Sequence, residues 1–475
     1  MSEDISKVEK TESGLKTTNP TTEEVISHYW IISKDNINSK SRKAKDAYED
    51  WKKDIDRRID VLYDFAQQLK KDKESLARTA TKEMGKAIKE SRSEVEKCAW
   101  AIEYFADNGK SFMTDEVINA DARKTFVAFE PLGVIASIMP WNFPYWQALR
   151  FAAASLMAGN TTVLKPASAT MQCGIEIEET FKKVGAPEGI FQTLIGDSSI
   201  VETLINSKDI SAVTFTGSVP VGAKVAQMAT SRIKKCILEL GGSDPFVVLE
   251  DADIEKASDG AVKGRFINCG QSCIASKRFI VLKGIANEFI EKFVQKVEKL
   301  NVGDPLSDDT DIGPLVNHNG LKKIDDQVKE AIKEGAEVIT GGEQIDGTGY
   351  FYKPTVLKNV TAKMNIAQEE VFGPVAPIIV AGDELEALKI ANDSEYGLGA
   401  SIWTDDLDRA DNFARMTQSG VVSVNNIVAS DPRVPFGGVK KSGFGRELSR
   451  YGMLEFVNVK TIRFYDQLIH QHHVE

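Results

Sequence analysis

Between residues 133 and 238 the hydrophobic period of the chain changes again and again, and that alternation limits the fold more than any other feature. Short β-rich runs at 133–140, 161–164, 191–194, 212–215 and 236–238 are separated by segments of helical pattern such as 171–184. A strand that returns beside its predecessor through a helix makes a parallel pair, so the pattern predicts βαβ units around a buried parallel sheet. A second α/β series follows at 278–282, 286–300, 320–334, 337–340 and 374–380, with no internal repeat and no low-complexity linker before it. The expectation is an α/β chain of at least two closely packed domains, since 475 residues exceed what one hydrophobic core fills.

The flanks read differently. Residues 39–112 carry apolar side chains at helical spacing, as in Ile59, Leu62, Tyr63, Phe65, Ala66 and Leu69, which predicts amphipathic helices. The segment 124–131 alternates like a strand, and 455–464 (EFVNVKTIRF) reads as an edge strand that would find a partner in a second copy.

A formal charge of −11 argues against a general nucleic-acid binder, which needs clustered Lys and Arg to displace counterions. The opening MSEDISKVEK lacks an apolar stretch and no long apolar run occurs, so neither a signal peptide nor a membrane span is expected, and the location expected is cytoplasmic. Five scattered cysteines (Cys98, Cys173, Cys236, Cys269, Cys273) make a poor disulfide framework and fit a reduced compartment. His28, His318 and the tail set His470, His472 and His473 offer no second ligand pair near Cys269 and Cys273, so no metal site is expected, and the tail reads as a polar end.

Four stretches carry chemistry. In INCGQSC (267–273), Cys273 follows a glycine-bearing turn that is expected to lead into a helix N-terminus, which would give a thiol both access and help toward ionisation. Taken alone, a buried core cysteine is the commoner outcome. In ELGGSDP (239–245), Glu239 ends an apolar run ahead of two glycines, where a carboxylate can reach water as a general base or be a plain turn residue. In PWNFP (140–144), two prolines hold Asn142, whose amide N–H suits a developing oxyanion. In FTGSVPVG (215–222), a strand enters a glycine turn and a helix begins near Pro220, an arrangement that can hold phosphate without matching GxGxxG.

Together with LKPAS (164–168), EEVFGPV (369–375) and PFGGVKKSGFGRE (435–447), these motifs, in this order, closely resemble the aldehyde dehydrogenase superfamily from about residue 17 onward. The resemblance implies a Rossmann-like cofactor domain (1–112 and 133–239), an α/β catalytic domain (240–445) and a β-arm for oligomerisation (113–132 and 446–475), giving a homo-oligomer, dimer or tetramer. It implies Cys273 as nucleophile, Glu239 as general base and Asn142 as oxyanion donor beside the Cys273 N–H. Cys269 is read as a bystander, with a redox pairing to Cys273 as the lesser alternative.

For the cofactor, the resemblance points to Trp141, Lys165, Ser168, Gly217, Ser218, Gly222, Glu370 and Phe372. NAD-preferring members carry Glu where this chain has Ser168, and losing that like charge admits a 2′-phosphate, so NADP use is expected with NAD tolerated. Arg150 resembles the arginine that receives a distal carboxylate in semialdehyde dehydrogenases, a structural ion pair being equally open, and Arg433 is a second candidate at the tunnel mouth. The expected reaction is oxidation of a small polar aldehyde, succinate semialdehyde first, with glyceraldehyde, lactaldehyde or a broad aliphatic range as rivals. From another class, a cofactor-independent thioesterase or acyl transferase using Cys273 stays open.

Overall fold

The computed structural model describes residues 14–465; the amino-terminal stretch and the histidine tail lie outside them. The chain opens with a hairpin, β1 (Gly14–Thr18) and β2 (Val25–Trp30), which has no counterpart among the expected elements. Four helices follow: α1 (Lys34–Trp51), α2 (Ile55–Lys71), α3 (Lys73–Met84) and α4 (Ile88–Phe112). Their apolar stripes face inward, and in α2 the buried set includes Leu62, Phe65, Ala66 and Leu69, the residues whose spacing predicts the helix.

Next come β3 (Glu116–Ile118), β4 (Lys124–Pro131) and β5 (Val134–Ile138), then α5 (Pro144–Ala158), β6 (Thr161–Lys165), α6 (Met171–Lys183), β7 (Phe191–Thr193), β8 (Ile210–Thr216) and β9 (Lys235–Glu239). Pro144 in the first turn of α5 needs no N–H bond there, and Gly159 closes the helix in the left-handed region at φ 102°. Every residue of α5 is buried, so this helix is a core element without a solvent face.

The second series supplies β10 (Asp244–Val248), β11 (Ser276–Leu282), β12 (Glu337–Thr340), β13 (Thr355–Lys358), β14 (Val375–Ala381), β15 (Gly399–Trp403) and β16 (Val421–Val424). The chain ends with β17 (Gly443–Phe444) and β18 (Val457–Phe464).

Two sheets organise the interior. The first has the order β17-β9-β8-β5-β6-β7, parallel except for β17; the second runs β12-β13-β14-β11-β10-β15-β16, parallel except for β12. The expected α/β class and parallel pairing are therefore present. In the first sheet the order reverses between β5 and β8, and the loops at their carboxyl ends carry residues 140–144 and 217–222. Such a switch point opens a crevice where open α/β sheets take ligands. Only residues 240–243 separate β9 from β10, so Glu239, closing one sheet, is held against the start of the other. A third sheet, β18-β4-β3, is antiparallel, and β4 and β18 pair along their whole length from Val457 opposite Pro131 to Phe464 opposite Lys124. Among the described residues no helix is long and apolar enough to cross a membrane.

Candidate active site

Cys273 lies between the two sheets. Residues 267–270 make a tight 3-10 turn in which Asn268, Cys269 and Gly270 all take left-handed backbone conformations, at φ 52°, 56° and 72°. Gly270 cannot be replaced without conflict, since a Cβ there would strike the Gly373 carbonyl. The chain then passes through Gln271, Ser272 and Cys273 directly into β11, with no helix after Cys273, which corrects the expected helix N-terminus. A parallel sheet strand occupies that place because Phe279, Ile280, Val281 and Leu282 form an apolar run, and the core takes in the whole of 276–282.

Without a helix dipole, the sulfur depends on its neighbours. Cys273 is half-buried, and burial pushes its thiol up to about 11, while Arg150 and Lys277 pull it back down. Lys277 is fully buried, donates to the Cys273 carbonyl at 2.6 Å and stands 3.5 Å from Glu370. Cys269 is buried in the core of the second sheet, whereas Cys273 packs toward the core of the first; both thiols are free.

The loop is tied to Asn142. Asn268 Nδ2 donates to the Asn142 carbonyl at 2.8 Å and to the Gln271 carbonyl at 3.1 Å, and Asn142 Nδ2 donates to the same Gln271 carbonyl at 3.1 Å. An amide nitrogen has two hydrogens, so Asn142 keeps a second donor for another acceptor. Glu239 is 2% exposed and its Oε1 has no hydrogen-bond partner among the described residues. Burial raises its carboxyl well above the usual range; Arg150 opposes that rise and Glu447 adds to it. An orphaned acceptor buried this deeply is a marker of function or of stored strain.

A cavity of about 750 Å³ opens onto Cys273, with Lys97, Trp146, Arg150, Ile427, Ser430 and Phe436 among its walls. Neither Asn142 nor Glu239 lines it; they stand behind the nucleophile loop, toward the switch-point crevice. Arg150 reaches the cavity but is ion-paired with buried Glu447 and stacks over Phe436 at 4.8 Å. Arg433 is exposed, bound to Asp431 through Nε at 2.9 Å, and is not part of the cavity wall.

On the crevice side, Trp141 and Phe372 meet edge to face at 5.8 Å, and Glu370 Oε1 accepts the Gly242 N–H at 3.1 Å. Lys165 ends β6 largely buried, with no carboxylate at ion-pairing distance among the described residues, and Ser168 begins a short 3-10 turn after it. The helix Val219–Thr230 starts at Ser218, whose hydroxyl makes no capping bond, so its first N–H groups remain available. Gly217 donates to the Glu239 carbonyl at 3.0 Å, and Gly222 lets the helix lie on Leu240, which a Cβ would meet at 2.5 Å. An uncompensated lysine, free helix N–H groups and no acid at position 168 are a donor set that fits a phosphate-bearing nucleotide.

The sequence reading did not reach the carboxylates of α3 and α4 that hold these loops. Glu83 accepts N–H bonds from Gln172 and Cys173 at the start of α6 (3.0 and 3.1 Å), just beyond residues 165–168. Glu90 accepts the Asn268 N–H with both oxygens at 3.0 and 3.1 Å. Glu94 accepts from Tyr145 and Trp146 at the start of α5 (2.9 and 2.8 Å) and pairs with buried Lys86. In sequence these are ordinary charges in a charged helical stretch, and no local signal marks them. Glu447 could have been suspected, since it sits in the quoted segment 435–447.

The family model described as Aldehyde dehydrogenase family matches residues 7–462. A probable NADP(+) succinate-semialdehyde dehydrogenase of Synechocystis is 43% identical over 449 residues, covering 94% of this chain and 99% of that protein. The Escherichia coli succinate semialdehyde dehydrogenase Sad, named for NAD(P)+, is 43% identical over 94% of this chain and 96% of its own length. Among solved structures, a succinic semialdehyde dehydrogenase from Streptococcus pyogenes in complex with NADP+ matches with a TM-score of 0.93 at 35% identity, covering 95% of this chain and 100% of that one.

Proposed function

Because this chain belongs to the aldehyde dehydrogenase family, we propose that it oxidises succinate semialdehyde to succinate, with NADP as the preferred acceptor and NAD tolerated. The observation that carries the reading is Cys273 at the base of a cavity whose wall presents cations, with Asn142 and Glu239 on the loop's other side.

In this scheme Cys273 loses its proton and its sulfur adds to the aldehyde carbon. The oxygen that becomes negative accepts from the second Asn142 amide hydrogen and the Cys273 N–H. The nicotinamide cofactor, when bound, supplies the hydride acceptor. Lys165, Ser168, Gly217, Ser218 and Gly222 are assigned to its adenosine and phosphate end, and Trp141, Glu370 and Phe372 to its nicotinamide end. The thioester left on Cys273 is cleaved by water, from which Glu239 takes a proton, and the acid departs with Cys273 restored.

The unit 1–112 with 133–239 is assigned to the cofactor and 240–445 to the nucleophile. The sheet of β3, β4 and β18 is assigned to assembly of copies in a cytoplasmic homo-oligomer, and Arg433 is kept as a charge outside the cavity wall. Purified protein given succinate semialdehyde and NADP should accumulate reduced cofactor, and Cys273→Ala should reduce that to background. Turnover surviving the substitution refutes the scheme, and hydrolysis of a supplied acyl thioester without nicotinamide, together with no aldehyde oxidation in its presence, would favour a thioesterase.

A further inference from the structure

The cavity charges do not cancel: Lys89 pairs with Asp311 and Arg150 with Glu447, while two lining lysines have no ion-pair partner among the described residues, Lys263, which is exposed, and Lys97, which is half-buried. Arg150, the arginine expected to receive a distal carboxylate, already faces the Glu447 carboxylate, so the pair brings no net charge, although Arg150 Nη2 has no hydrogen-bond partner among the described residues. Lys97, on α4, is half-buried in the same wall. Its ammonium donates to Ser430 Oγ at 2.8 Å and lies 4.5 Å above the Trp146 ring, and no carboxylate stands within ion-pairing distance among the described residues. The charged groups that face it are Glu94 from its own helix, Arg150 from α5 and Asp431 from the loop after β16, with the Cys98 thiol beside it. Both acids are taken, Glu94 by Lys86 and Asp431 by Arg433. An ammonium held away from water and without a countercharge is a site prepared for an anion.

Resting on the succinate semialdehyde reading above, we infer that Lys97 receives the distal carboxylate of the substrate, an aliphatic aldehyde with a terminal carboxyl group, and that Arg150 adds a hydrogen bond to it. The resting site supports this in a second way. Burial and the Arg150 charge bring the Lys97 ammonium down to about 8, so it is charged below that pH and neutral above it, and preference for an anionic substrate must fade as pH rises through that value.

The test compares kcat/KM for succinate semialdehyde and for butanal, which has the same chain length and no charge. In Lys97→Met the ratio of the two should fall about 10- to 100-fold, the worth of a charge-assisted hydrogen bond. Lys97→Arg should keep most of the ratio and remove its decline above about pH 8, because a guanidinium stays charged. An unchanged ratio in Lys97→Met, or a decline that persists in Lys97→Arg, overturns the role of Lys97. Wild-type protein that oxidises butanal yet shows no preference for the acid aldehyde overturns the substrate reading and this inference with it.

Discussion

At the scale of single residues, burial governs the two groups that must give up protons. Burial first of all pushes the Cys273 thiol up to about 11 and raises the Glu239 carboxyl well above its ordinary range, so in each case burial disfavours the deprotonated form that acts. Both deprotonated forms grow as pH rises. With butanal, which avoids the opposite dependence of Lys97, kcat/KM is therefore expected to climb from about pH 7 to 9; a flat or falling profile in steady-state assays contradicts this. Glu239→Gln should separate the two halves of the reaction. Rapid-mixing absorbance should show a burst near one reduced cofactor per site, followed by a steady rate lowered about 10²- to 10⁴-fold. Loss of the burst itself would move Glu239 out of the water-activating step. Arg150 affects both groups, pulling Cys273 and Glu239 down while Glu447 restrains it, a coupling that residue spacing does not disclose.

At the scale of elements, α3 and α4 act as a frame. Glu83, Glu90 and Glu94 each close the backbone of a different site segment: the start of α6, the nucleophile turn and the start of α5. Carboxylates at helix starts satisfy orphan N–H groups and meet the positive end of the helix dipole. Glu94 has a second duty, since it neutralises Lys86, whose ammonium also sits 3.9 Å over the Phe143 ring of the 140–144 segment. Glu94→Ala would leave Lys86 buried without a countercharge. It is expected to cost about 3–5 kcal/mol in urea unfolding, and a loss under about 1 kcal/mol would show that water enters and solvates the lysine. The segments 140–144 and 267–273 are legible as motifs because their glycines, prolines and polar residues break the apolar pattern. The frame is not legible, because a helix displays an inward-turned glutamate and a solvated one with the same letter.

At the scale of the whole molecule, the sheet of β3, β4 and β18 presents exposed apolar side chains, Val117 at 79% and Val459 at 60%, and β18 has a strand neighbour on one side only among the described residues. An apolar sheet with an open edge invites another strand. Replacing Val117 and Val459 together by Lys should lower the assembly mass in light scattering while far-UV circular dichroism stays native. An unaltered mass would place the contact on another surface.

The period of the hydrophobic pattern by itself determined the α/β class, the parallel strands and the helical first segment, because burial of one face or both leaves its mark residue by residue. Asn142, Glu239 and Cys273 come instead from the ordered motifs and the family resemblance those motifs carry, since each residue taken alone is open to a plain structural role. Only the tertiary structure decided that Cys273 leads into a strand, that Arg150 is balanced by Glu447 while Lys97 is not, and that three glutamates brace the site from behind. Those are questions of which charges meet across the core, and partners such as Arg150 and Glu447, nearly three hundred positions apart, come together only when the sheets close.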